Sequence, residues 1–188
     1  MEKEAKQSSV PINEDIVMKN NNFSIFKPRI VSTIELTDLL DNSEIWIGTD
    51  WHLWKADENG ILTKNKNFDL ILNNCREKLK RPNSLLLFLG DLVDDEFNDL
   101  NSLRKAIKSL NGTKILIKGN NDILEDTFYT SCGFEYVLEG LLYNDILFTH
   151  APIDNIARIN VHGHLHKSGF YYDNNFKNHA DVFTGKLS

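Results

Sequence analysis

Five apolar runs of strand length recur after residue 40, and each ends in residues able to hold a cation or a phosphate. They are IWIG at 45–48, LLLFLG at 85–90, KILIKG at 114–119, DILFT at 145–149 and INVHG at 159–163. Their length and their Ile, Phe and Val content predict strands buried on both faces. Between the first two, Phe68, Ile71, Leu72, Cys75 and Leu79 fall at helical spacing, with Asn67 placed to cap the start and Pro82 beyond the end. Leu100, Leu103, Ile107 and Leu110 form a second helical stripe, closed by Gly112. Strand and helix in alternation predict parallel βαβ units. Beyond Gly133 the chain reads as short strands with turns at Glu139–Gly140 and Asn144–Asp145, followed by strand candidates at 168–173 and 181–185. The expected class is α/β with mixed sheets.

At 188 residues the chain suits one domain with a sizeable core. Residues 1–24 are polar, carry no sustained periodicity and read as a flexible N-terminal arm, leaving 25–188 as the domain. The end at Lys186-Leu187-Ser188 lacks an obvious closing element and reads as truncated. Two distant cysteines, Cys75 and Cys132, form no metal-type spacing, so a reducing compartment is expected. With no secretory signal and no apolar run of spanning length, the expected location is the cytoplasm, away from membranes. Lys and Arg number 21 against 27 Asp and Glu, a net charge of −6. That balance argues against a general polyanion binder, so nucleic acid is not favoured and a small phosphorylated substrate is expected. No protein partner is indicated.

The polar clusters carry the chemistry. Asp50 and His52 follow the first run, and Asp91 and Asp94 the second. Asn120, Asn121 and Asp122 follow the third, His150 the fourth, and His164 and His166 the fifth. In an open α/β sheet, ligands bind beyond the carboxyl ends of the strands. In extended backbone, residues two apart share a side, so Asp50 with His52, and His164 with His166, are expected to aim together. The donors are carboxylate, amide and imidazole, too many for one tetrahedral ion but suited to two octahedral-type ions sharing a carboxylate. Mixed oxygen and nitrogen donors favour Mn, with Fe or Zn next, over Ca or Mg. Any one of these motifs is weak on its own: Gly119-Asn120-Asn121-Asp122 alone is an ordinary turn, and an isolated H-x-H pair is more often structural. Their order and their placement at strand ends give them weight together.

Taken in order, Asp50-Trp51-His52, Gly90-Asp91-Leu92-Val93-Asp94, Gly119-Asn120-Asn121-Asp122, His150 and Gly163-His164-Leu165-His166 resemble the motifs of the calcineurin-like metallophosphoesterases, in particular the small stand-alone bacterial and phage type. The resemblance covers roughly residues 44 to 168. It implies a four-layer sandwich, two mixed sheets flanked by helices. It also implies two divalent ions: Asp50, His52 and His166 on the first, Asn120, His150 and His164 on the second, and Asp91 bridging. The implied reaction is hydrolysis of a phosphomonoester or phosphodiester, with a water or hydroxide between the metals attacking phosphorus in line. Asp94 is placed to orient a ligand or a water from behind. Asp122, Lys55 and His162 are further candidates for supporting the ligands or touching substrate.

Two departures bear on mechanism. Most active relatives carry His where this chain has Asn121, a position given to protonating the leaving oxygen or binding the phosphoryl group. An amide donates hydrogen bonds but does not titrate near neutral pH, so catalysis is expected to rest on Asp91 and Asn121 without a general acid at that position. Asp95 also stands where the protein phosphatases carry Arg, which argues against a phosphoprotein substrate. The alternative reading is a catalytically weakened member acting as a binding scaffold; seven retained ligands favour the enzyme.

Overall fold

A computed structural model describes residues 34–94, 97, 99–153, 157–165, 169–171 and 179–181. The expected arm at 1–24, the position of Asp95 and that of His166 lie outside the described residues. So do 182–185 of the last strand candidate; the strand found there is His179–Asp181, ahead of the expected range.

A parallel sheet forms first in the chain. Its strands are β1 (Glu44–Gly48), β4 (Ser84–Phe88), β5 (Thr113–Ile117) and β6 (Tyr136–Leu138), adjacent in that order and parallel at each pairing. A hairpin of β2 (Trp54–Ala56) and β3 (Leu62–Lys64) follows β1. The crossovers run through α2 (Phe68–Lys78), α3 (Leu100–Lys108) and α4 (Asp126–Cys132), and α1 (Ile34–Asp41) precedes the sheet. The second sheet contains β7 (Leu141–Tyr143), β8 (Ile146–Phe148), β9 (Ile159–His162), β10 (Gly169–Tyr171) and β11 (His179–Asp181), in the order β10-β11-β9-β8-β7 with parallel and antiparallel pairs.

The period of two along the central strands assigns the cores. Leu85, Leu87, Leu89, Ile115 and Ile117 join Leu141 and Phe148 between the sheets, where α1 adds Leu36 and Leu40. Leu86, Phe88 and Leu116 point the other way, into a cluster with Ile71, Leu72, Cys75, Leu103, Ile107 and Tyr129 from the helices. The central strands are thus covered on both faces, as their unbroken apolar runs require. The result is an α/β fold of sheets flanked by helices, as expected. Among the described residues no helix is long and apolar enough to cross a membrane.

Two local expectations change. Asn67 sits at the N-cap of α2 but its side chain makes no cap bond; Asn65 Oδ1 accepts the Asn67 N–H at 2.9 Å instead. α3 ends at Lys108 with Ser109 as its cap rather than at Gly112, while its N-cap Asp99 accepts the Ser102 N–H at 3.2 Å. The hairpin β2–β3 leaves no signal in the sequence, because three-residue strands carry too little periodicity to read.

Candidate metal centre

Parallel pairing continues past the strand ends and sets the first candidate ligands side by side. Leu89 N–H donates to Gly48 O at 2.7 Å, Asp50 N–H to Gly90 O at 2.9 Å, and His52 N–H to Asp91 O at 3.1 Å. Gly163 N–H donates to His150 O at 2.9 Å, joining the two loops of the second sheet in the same way. The expected convergence of Asp50 with His52 occurs, but not through extended backbone. Their φ values are +52° and +39°, and Asp91 and His164 are also left-handed at +61° and +67°. Such conformations cost roughly 1–3 kcal/mol each for non-glycine residues and concentrate at functional sites, with Asp and His among the side chains that tolerate them best.

Space is equally constrained. A Cβ on Gly119 would lie 2.2 Å from Asp91 Oδ1, and one on Gly163 would lie 2.0 Å from Thr49 Oγ1 and 2.4 Å from Asp50 Oδ2. Both positions need glycine because the loops touch there.

Two triads result, Asp50–His52–Asp91 and Asp91–His150–His164, with the donor atoms of each within 4.8 Å of one another. Asp50, Asp91 and His150 are buried. Around His150 Nε2 stand Asn120 Oδ1 at 3.0 Å, His164 Nδ1 at 3.1 Å and Asp91 Oδ2 at 3.4 Å. His150 Nδ1 lies 2.7 Å from Leu89 O and donates to it, so the neutral ring turns its Nε2 lone pair toward other acceptors. Such a crowd of lone pairs requires positive charge, either a proton or a metal cation, so the donor set fits the divalent ions expected. The proton's side of that competition is visible. Burial alone would lower the His150 pKa, but the hydrogen bond and charge of Asp91, aided by Leu89 O, hold it above its ordinary value. Burial likewise works to raise the Asp91 pKa, but His150, the Asn121 N–H and His52 outweigh it and hold it low.

The supporting candidates separate by contact. Asp94 Oδ1 lies 2.6 Å from His52 Nδ1. Asp122 is buried and accepts N–H bonds from Asp91 (2.8 Å), Gly119 (2.9 Å) and Leu92 (3.3 Å), clamping the loops after β4 and β5. Its burial pushes its pKa up to about 6. Asn121 donates its N–H to Asp91 Oδ1 at 3.0 Å and its amide to Asp91 Oδ2 at 2.8 Å. His162 is buried, with Nδ1 2.9 Å from Gly163 O, whereas Lys55 is exposed on β2. Thr49 was not singled out; its hydroxyl donates to Asp50 Oδ2 at 2.7 Å, and its place beside Asp50 was the available signal. Trp51 is packing, 1% exposed with its ring 4.5 Å from Phe88. Both cysteines are free and buried, and burial pushes the Cys75 thiol up to about 12.

Fold and donors define an α/β protein with two cation sites that share one carboxylate. The chain belongs to the calcineurin-like phosphoesterase family, whose model matches residues 43–184. It therefore carries the dinuclear-metal hydrolase character of that family, with both triads in place. No curated protein matches it. Among solved structures it is similar to a protein of unknown function from Aquifex aeolicus, at 22% identity over 76% of this chain and 89% of that one, TM-score 0.51. The nuclease MPE of Pseudomonas putida is similar at 20% identity over 65% of this chain and 61% of that one, TM-score 0.47.

The expectation that nucleic acid is not favoured is withdrawn, because it rests on net charge alone. Net charge was the wrong quantity. The 27 acidic residues include Asp50 and Asp91, whose carboxylates belong to the two triads, and a metal held there would change the local sign without altering the count.

Proposed function

We propose that this protein is a two-cation phosphoesterase that hydrolyses a phosphomonoester or a phosphodiester. The observation that carries the reading is the pair of triads meeting at buried Asp91. Asp50, His52 and Asp91 would hold one ion, together with His166, as the family resemblance implies. Asp91, Asn120, His150 and His164 would hold the other. Divalent cations there supply Lewis acidity, lowering the pKa of a water and offsetting charge on phosphoryl oxygens. Mn suits the mixed donors best, with Fe or Zn next.

The chain's own residues would do the rest. Asp91 faces both triads, and Asn121 steadies it with two hydrogen bonds. The Asn121 amide can donate to a phosphoryl oxygen but has no proton to give a departing alkoxide. General acid catalysis contributes typically 10²–10⁴-fold, so substrates whose leaving groups need little protonation, such as aryl esters, should be hydrolysed best. Exposed Lys55, three residues past His52, would attract the anionic substrate, while His162, being buried, would support the end of β9. Residues 25–188 would form the working domain, and buried free thiols suit the reducing cytoplasm. Hydrolysis of mono-aryl and bis-aryl phosphates with Mn²⁺, against Asp91→Ala, tests the reading. Activity well above the variant is expected, and activity equal to it would mark a scaffold.

A further inference from the structure

Two imidazoles of the site, His150 and His52, have Nδ1 engaged by unlike protein groups. His150 Nδ1 donates to a neutral backbone carbonyl, Leu89 O. His52 Nδ1 meets the Asp94 carboxylate, whose other oxygen accepts the Ala56 N–H at 2.9 Å. The Asp94 N–H in turn donates to Trp54 O at 3.1 Å, so the residue is tied to the β2 strand twice. A carboxylate can only accept, which places the His52 proton on Nδ1. Nε2 is then the lone-pair nitrogen, and it faces Asp91 Oδ2 at 3.9 Å. The two side chains are 12% and 20% exposed, sheltered enough for the pairing to persist.

We propose that Asp94 is the positioning residue of His52: it sets the Nδ1–H tautomer, aims Nε2 at the cation of the Asp50–His52–Asp91 triad, and ties that ligand to the β2–β3 hairpin. The cation in this statement rests on the phosphoesterase reading above; the tautomer does not. A carboxylate stands behind His52 and a backbone carbonyl behind His150, so the two triads are supported unequally. Asparagine cannot take over the role. Its one acceptor oxygen would have to serve both the His52 Nδ1–H and the Ala56 N–H, and one of them would face an NH₂ group. Glutamate keeps two acceptors.

The test compares wild type with Asp94→Asn, Asp94→Glu and Asn65→Ala. Asn65 holds the Trp51 and His52 carbonyls at 3.1 Å, so its removal loosens the same loop without touching the imidazole. On metal-free protein, ¹⁵N NMR of the histidine rings reads the tautomer; Mn²⁺ and Zn²⁺ titrations read the two affinities. Asp94→Asn is expected to lose the Nδ1–H signature of His52 and to weaken one cation by roughly 10–100-fold, leaving the other unchanged. Asp94→Glu should recover part of both, and Asn65→Ala should lower Tm while keeping the tautomer. The cation half is overturned if both cations weaken equally in Asp94→Asn, or if Asn65→Ala weakens binding as much. A wild type that takes up no divalent cation overturns the phosphoesterase reading and the cation half of this one. Retention of the Nδ1–H signature in Asp94→Asn overturns the tautomer half alone.

Discussion

The two halves of the candidate metal centre reach Asp91 by different construction. Asp50, His52 and Asp91 sit on loops that extend the parallel ladder, and two acidic side chains, Asp94 and Asp122, brace them from behind. His150 and His164 come from the second sheet and are held mainly through backbone: His150 by Leu89 O, and His164 by its N–H donating to Asp50 Oδ2 at 3.0 Å. The second half therefore leans on the first. Loops that share backbone hydrogen bonds with their neighbours can hold left-handed carboxylates in place, whereas ligands arriving from another layer depend on those carboxylates being set already.

That dependence can be broken step by step. Asp91→Ala removes the shared ligand and should abolish uptake of both cations, with aryl phosphate hydrolysis falling by about a thousandfold or more, read by metal analysis and initial rates. Asp50→Ala should disturb both halves, because it removes a ligand and the acceptor of His164. His150→Ala should cost only the ion of its own triad, and an Asp50→Ala loss likewise confined to its own triad would show that the halves are independent. Gly163→Ala drives a methyl into Thr49 and Asp50 and should destabilise the fold by about 1–3 kcal/mol, measured by urea unfolding.

Smaller effects sharpen the comparison. Asp122 titrates near pH 6 in the folded chain and near 4 when unfolded, so between those values the native state holds the extra proton. Its contribution therefore favours the fold at low pH and is lost as pH rises through about 6, at no more than about 1.4 kcal/mol per pH unit. Asp122→Asn should remove that slope from the stability of the metal-free protein, and an unchanged slope would exclude Asp122 as its source. Asn121→His should speed hydrolysis of an alkyl phosphate more than of an aryl phosphate. A variant that favours neither would place the leaving-group proton elsewhere.

Much of this was legible in the sequence, for physical reasons. Central strands buried on both faces must be continuously apolar, which made β4 and β5 readable, and helices facing them must show a stripe, which made α2 and α3 readable. Donor chemistry belongs to residue type, so Asp50, His52, Asp91, Asn120, His150 and His164 are nameable as candidate donors from the sequence. The chain by itself determined the donors, their order and their arrival at strand ends. Tertiary structure decided how they meet: through left-handed backbone instead of extended pleat, with Asp122 turned inward as a clamp and Asp94 paired to His52 across 42 residues. Those outcomes depend on contacts between loops far apart in the chain, and local pattern carries no record of which side chain will find which partner.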